Sequence, residues 1–187
     1  MKLTRSWLEH YIDIPFDTNE LCDHLTMAGL EVDSITNIKN DSIIDIDLTP
    51  NRSDCLSVYG IARELINIDK AYKFKKYNKY QKISSTCSNS KIKFNILEKK
   101  LCPRYGYMYL ENISTTSKTP TYISERLENI GIKTINPIVD ILNYIMIDIG
   151  QPMHAYDADK LDGEISIRLA KNKEVIKALD DNEYKLD

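Results

Sequence analysis

The chain has 187 residues, 42% of them hydrophobic and 28% charged, and a formal net charge of −3. A chain of this length can bury about 70% of its unfolded surface in one good-sized or two small domains, and no apolar run approaches the roughly 18 residues needed to span a bilayer. The negative balance excludes nucleic-acid binding by bulk electrostatics, so any such contact has to be local.

The opening MKLTRSWLEH places Glu9 and His10 where a signal peptide would carry its apolar segment, which points to the cytoplasm. Ser6 and Glu9 have capping-box spacing ahead of Trp7, Leu8 and Tyr11, predicting a short helix that Pro15 ends. A second helix begins near Asp17 or Thr18, carries Leu21, Leu25 and Ala28 on one face and stops at Gly29. LEVDSI and SIIDIDLT then alternate apolar and polar residues and predict a hairpin joined by TNIKND. PNRSDC turns the chain into a helix, LSVYGIARELINI, with Leu56, Ile61, Leu65 and Ile68 on its apolar side and Asp54 as its cap. Gly60 is poorly suited to a helix interior, costing about 1 kcal/mol against alanine, and so implies close packing there.

From Asp69 to Ser90 the sequence is polar and aperiodic, and SSTCSNS has linker composition, which sets a domain boundary. The basic run KAYKFKKYNKYQK, Lys70 to Lys82, reads as a solvated linker; its interleaved aromatics, including Tyr77 and Tyr80, offer the alternative of stacking on bases. KIKFNIL and the tyrosine-rich RYGYMYLENI read as strands. Pro120 opens a helix with Ile123, Leu127 and Ile130 that closes at Gly131. Asn136 and Pro137 open another, with Ile138, Ile141, Leu142, Ile145 and Ile149 on one apolar face and Gly150 as its stop. EISIRLA and VIKALDDNEYKL end the chain as strands, the second bent back at Asp181 and Asn182. The pattern is α+β, with a small N-terminal helical and hairpin domain over 1–70, a linker over 71–89 and a mixed α+β domain over 90–187. Ending on a strand without a closing helix, the second domain is expected to be incomplete and to leave strand edges open to association.

No Gly-rich phosphate loop, G-x-S-x-G elbow or His-x-x-x-His pair occurs, which removes the common nucleotide-cradle, hydrolase and metalloprotease signatures. Cys22, Cys55, Cys87 and Cys102 form no C-x-x-C pair and no Cys/His cluster, so free thiols are expected, with neither a zinc site nor a disulfide framework. Asp157, Asp159 and Asp162 follow His154 closely, but an aspartate-rich turn is the ordinary reading and no metal site is assigned. His154, in GQPMHAYD, has the chemistry of an acid, a base or a hydrogen-bond donor near neutral pH. Local sequence leaves that role and a plain surface histidine both open.

Two phrases narrow the choice. LTMAGLEVDSI with IDLTPNRSDCLSVYGIARELINI, and CPRYGYMYLENI with GIKTINPIVDILNYIMIDIGQPMHAYDADKLDG, closely resemble the N-terminal part of the bacterial phenylalanyl-tRNA synthetase beta subunit, in the same order and over most of the chain. The resemblance implies one subunit of an (αβ)2 heterotetramer that joins phenylalanine to tRNA(Phe) using ATP and magnesium. Synthesis lies in the alpha subunit, so this chain itself is expected to bind no cofactor. It also implies an editing pocket for tyrosyl-tRNA(Phe), to which His154, Asn143 and Gln151 would belong. Such a second site answers a selectivity problem, since a pocket shaped for phenylalanine rejects an added hydroxyl only weakly.

Three departures qualify that implication. Only TNIKND stands where the family usually inserts an OB-fold that contacts tRNA. Leu142 occupies the position, twelve residues before the histidine, where the family commonly has a threonine. The chain also ends before the glutamate that helps select the tyrosine hydroxyl and before the domains that dock on the alpha subunit. The reading is therefore a shortened beta subunit supporting assembly and tRNA contact, with editing impaired. The alternatives are a free-standing editing hydrolase, or a non-catalytic interaction module working through Tyr77, Tyr80 and the neighbouring lysines.

Overall fold

The computed structural model of the chain describes residues 1–76, 92–114, 116–178 and 181–186. They form a mixed α+β structure whose contacts group into two compact units, one of Met1–Lys82 with Ser114–Ala155 and the other of Ile83–Ile113 with Tyr156–Asp187. The grouping is not colinear with the sequence, because the two helices expected in the second domain pack with the N-terminal residues. Those helices have side chains to bury, and residues 1–76 supply the surface.

In the first unit, strand β1 (Lys2–Thr4) runs into a single helical turn, α1 (Arg5–Leu8). The cap is Thr4, whose Oγ1 accepts from the Trp7 amide at 3.3 Å, and not the expected Ser6. Ser6 is engaged elsewhere, its amide and hydroxyl both donating to Asp41. After β2 (Ile12–Asp13), helix α2 (Thr18–Met27) begins on a capping box between Asp17 and Glu20 and buries Leu21, Cys22 and Leu25. Gly29, at φ +83°, ends it in the left-handed region that glycine enters at no steric cost.

The predicted hairpin forms as β3 (Glu31–Ile38) and β4 (Asp41–Asp47), antiparallel from Glu31 against Asp47 to Ile38 against Asp41, with a bulge between Val32 and Ser34. β1 pairs antiparallel on the other edge of β4, making a three-stranded sheet with β4 central. Ile44 and Ile46 point into the core from that strand.

Helix α3 (Val58–Ile68) is capped by Ser57, whose Oγ accepts from the Gly60 amide at 2.9 Å. Asp54, the expected cap, sits instead in a preceding 3₁₀ turn, and Leu56, expected on the apolar side, is 55% exposed. The buried face is Val58, Gly60, Ile61, Ala62 and Leu65. A Cβ on Gly60 would lie 2.1 Å from the Asp54 carbonyl oxygen, so the close packing inferred for this glycine is present. β5 (Lys73–Phe74) pairs with β2.

Helix α4 (Thr121–Asn129) packs on α5 (Pro137–Ile149), and α5 packs on α3. α5 starts as predicted, with the Asn136 side chain accepting from the Ile138 and Val139 amides at 3.1 Å and Pro137 at the first helical position. Its inward side differs from the prediction. Asp140 and Asp148 are its buried residues, and Tyr144 and Ile147 between them pack on the core. The predicted apolar stripe is only partly covered, with Ile138, Leu142 and Ile145 half-buried and Ile141 39% and Ile149 41% exposed. Periodicity identifies an apolar stripe but does not say which surface the helix will meet.

In the second unit, β6 (Lys93–Ile96) and β7 (Glu164–Ile167) pair in parallel, and β8 (Val175–Lys177) and β9 (Glu183–Lys185) form an antiparallel hairpin across a turn with Asp181 at φ +63°. The segment 104–113, predicted as a strand, is irregular and largely exposed. A strand persists by exchanging N–H and C=O groups with a neighbour, and this segment is held to β6 by ring contacts instead. Phe94 stacks on Tyr105 at 5.6 Å and on Tyr107 at 3.9 Å.

Candidate functional site

The turn that carries His154 leaves the fold at the C-terminal end of α5. Gly150 makes the exit at φ +77° and lies against the cap of α3, since a Cβ there would come within 3.3 Å of the Ser57 Cβ. The next residues run without regular structure and are exposed, His154 and Gln151 among them. The Gln151 side-chain amide donates to the Pro152 carbonyl at 3.1 Å.

The other expected pocket residues lie back on the helix. Asn143 is half-buried, on the stripe it shares with Asp140 and Ile147 by three- and four-residue spacing. Leu142 is half-buried on the opposite, apolar stripe with Ile138, Ile145 and Ile149. Gln151 and His154 thus lie in one exposed irregular segment, while Asn143 sits two helical turns before it.

What holds the end of α5 is a cluster that sequence reading missed. The Asp148 side chain is buried, and its two oxygens take separate donors. The Trp7 indole Nε1–H donates to Oδ1 at 2.7 Å, and the Tyr11 hydroxyl donates to Oδ2 at 2.6 Å. Trp7 stacks on Tyr144 with centroids 4.9 Å apart and planes 12° from parallel. The Arg126 guanidinium lies 5.3 Å from the Trp7 ring centre and donates to the Tyr144 hydroxyl at 2.7 Å. Burial pushes the Tyr144 phenol above its ordinary range. At the other end of the helix Asp140 accepts from the Thr119 hydroxyl and from the Ile135 amide. The available signal was Asp140, Tyr144 and Asp148 at four-residue spacing, a polar stripe on an otherwise apolar helix.

Among the described residues one group of possible metal ligands, Asp54, Cys55 and Glu64, falls within 4.8 Å. Its carboxylates are already paired with arginines: Arg52 with Asp54 at 3.1 Å and Glu64 at 2.9 Å, and Arg63 with Asp54 at 3.8 Å, while Arg52 also donates to the Cys55 sulfur. Arg52 holds the Asp54 carboxyl down to about 2, while burial pushes the Cys55 thiol up to about 11. A protonated thiol beside a carboxylate pair filled by arginine is a packing cluster and a poor ligand set. Asp157, in the aspartate-rich turn, caps a 3₁₀ turn and pairs with Lys160, as an ordinary turn residue does. In the basic run Lys75 is committed to the Glu9 carbonyl and to Asp13; Tyr77 and Tyr80 lie outside the described residues. Among the described residues no helix is long and apolar enough to cross a membrane.

Comparison with known proteins sets this geometry in a family. Residues 101–187 match the family described as the B3/4 domain. The chain is 38% identical over 150 residues to the phenylalanine–tRNA ligase beta subunit of Legionella pneumophila (strain Lens), covering 79% of this chain and 18% of that protein. It is 38% identical over 176 residues to the beta subunit from Francisella tularensis, covering 94% and 21%. Against the beta subunit of Rhodopirellula baltica it is 33% identical over 189 residues, covering 100% and 27%. The chain spans about a fifth of the length of the curated relatives it matches. Aligned along its whole length to the R. baltica beta subunit and over most of it to the others, with the B3/4 domain over residues 101–187, the chain belongs to the phenylalanine–tRNA ligase beta-subunit family.

Proposed function

We propose that this chain acts as a beta-subunit module of phenylalanine–tRNA ligase, assembling in the cytoplasm with the alpha subunit and contacting tRNA(Phe). In that role it supports charging that the alpha subunit carries out with ATP and magnesium, and it binds neither itself. The observation that carries the reading is the full-length alignment at 33% identity to the beta subunit of R. baltica. His154, Gln151 and Asn143 are the editing-pocket positions, and editing of tyrosyl-tRNA(Phe) is impaired. Leu142 has no hydrogen-bonding group to offer there, and a selective pocket needs buried partners for the tyrosine hydroxyl. The test is to mix the purified chain with the alpha subunit and tRNA(Phe) from the same organism and follow complex formation by size-exclusion chromatography together with aminoacylation. A complex that charges tRNA is the expected result; separate elution with no charging rejects the reading.

A second reading, a free-standing hydrolase of mischarged tRNA, is favoured by one feature, the solvent-exposed placement of His154. Release of tyrosine from tyrosyl-tRNA(Phe) by the chain alone would support it. A folded protein that releases none removes it.

A further inference from the structure

Hydrophobic burial alone does not set how α5 is rotated against the core, because none of its apolar side chains is fully buried and its two buried residues are both aspartates. The inward side carries carboxylates at both ends. A buried carboxylate is costly unless its oxygens find donors, and a carboxylate that accepts a hydrogen bond binds more tightly than a neutral acceptor would. Asp148, 3% exposed, meets this requirement through two groups 141 and 137 residues away in sequence, Trp7 and Tyr11. Because each oxygen has its own donor, the plane of the carboxylate is fixed as well as its position. Aspartate has only two side-chain torsions, so fixing that plane fixes the last turn of α5. Gly150 follows two residues later and is held against Ser57. The turn of residues 151–155 therefore departs from a point pinned by Trp7, Tyr11 and Ser57.

We infer that Asp148 is a positioning residue, whose hydrogen bonds to Trp7 and Tyr11 set where the turn carrying His154 leaves the fold. The inference concerns placement and stands whatever chemistry the turn performs. It also makes a specific claim about length, since glutamate keeps the charge but carries one more methylene and would displace the helix end.

The experiment uses nuclear magnetic resonance on the full chain, with Asp148→Asn and Asp148→Glu compared with the parent. Trp7 is the single tryptophan and His154 one of three histidines, so the indole Nε1–H signal and the imidazole signals are few and assignable. His24, held on α2 by the Tyr72 hydroxyl at 2.8 Å, is the internal control. With Asp148→Asn the indole signal is expected to move, and the His154 signal to shift and sharpen toward that of an unstructured histidine, with His24 unchanged. Asp148→Glu is expected to move His154 again, to a different position. An indole signal that moves while His154 stays in place overturns the inference, and so does a His154 change matched by an equal change at His24. Should either variant fail to fold, Tyr11→Phe removes one donor and keeps the ring. A smaller His154 shift is then expected, and no shift overturns the claim.

Discussion

The two units use the same kinds of residue and reach opposite outcomes. Every buried side chain among the described residues, from Leu3 to Asp148, belongs to the first unit, and the second unit, with Phe94, Tyr105, Tyr107, Leu110 and Ile176, buries none. The difference is the second layer. In the first unit α1 and α2 pack on the three-stranded sheet and α3 packs on both helices, so alternating residues on β4 point into a shared core. In the second, the described strands form two separate pairs, and a two-stranded sheet has little to bury against. Apolar alternation specifies a face; a core needs another element to cover it.

Paired substitutions sharpen the contrast. The largest effect is expected from Trp7→Ala, which removes a fully buried ring and one donor to Asp148 and should cost about 4 kcal/mol in urea unfolding. Phe94→Ala in the second unit loses ring stacking alone and should cost about 1 kcal/mol or less. If the two cost the same, the units do not differ as described. Next comes Gly60→Ala, whose Cβ would meet the Asp54 carbonyl at 2.1 Å and should destabilise by about 2 to 3 kcal/mol. Gly106 has nothing within 4 Å of its missing Cβ, so Gly106→Ala should shift stability by no more than about 0.5 kcal/mol.

Acid should treat the units alike, because each holds a carboxylate that a neighbouring arginine depresses. Arg52 holds Asp54, and Arg168 holds Glu174, at about 2. A carboxyl depressed in the folded state stabilises above its unfolded pKa, near 4, and loses that contribution as pH falls through about 2. Carboxyl titration by carbon NMR should show both low values, and Arg168→Gln should return Glu174 alone toward 4. The stability effect is small, and salt should reduce it further. The smallest effect is on thiol chemistry. Burial pushes both Cys22 and Cys55 to about 11, so iodoacetamide at pH 8 should modify half-exposed Cys102 well before either. Prompt labelling of Cys55 in folded protein would contradict the packing around Arg52.

Local chemistry was legible where a single short signal decides the outcome. The helix start at Asp17 and Thr18, the Asn136 and Pro137 helix start and the glycine exits at 29 and 150 are all present. Legibility fell where two signals compete or where the partner is distant. Asp54 and Ser57 are both good caps, and Arg52 claims the first. The orientation of α5 depends on Trp7 and Tyr11, which no window of local sequence contains. For the candidate site this means that the exposed segment with Gln151 and His154 could be foreseen from Gly150, whereas the spacing of Asp140, Tyr144 and Asp148 marks a polar stripe without naming the partners of Asp148. RYGYMYLENI has strand composition without a laddered neighbour among the described residues, and composition alone does not supply one.

The 141-residue span between Trp7 and Asp148 also bears on how the chain matures. During synthesis the indole and the Tyr11 hydroxyl emerge first, and their acceptor follows more than a hundred residues later, on the order of ten seconds at ordinary elongation rates. Until then the N-terminal sheet has to persist with Trp7 uncovered and without α4 and α5. Docking of α5 on Trp7 and Tyr11 is a long-range closure, of the kind that slows folding through chain entropy. A nascent chain stalled before residue 137 would leave that aromatic surface open to chaperones, and one released after Gly150 would close it.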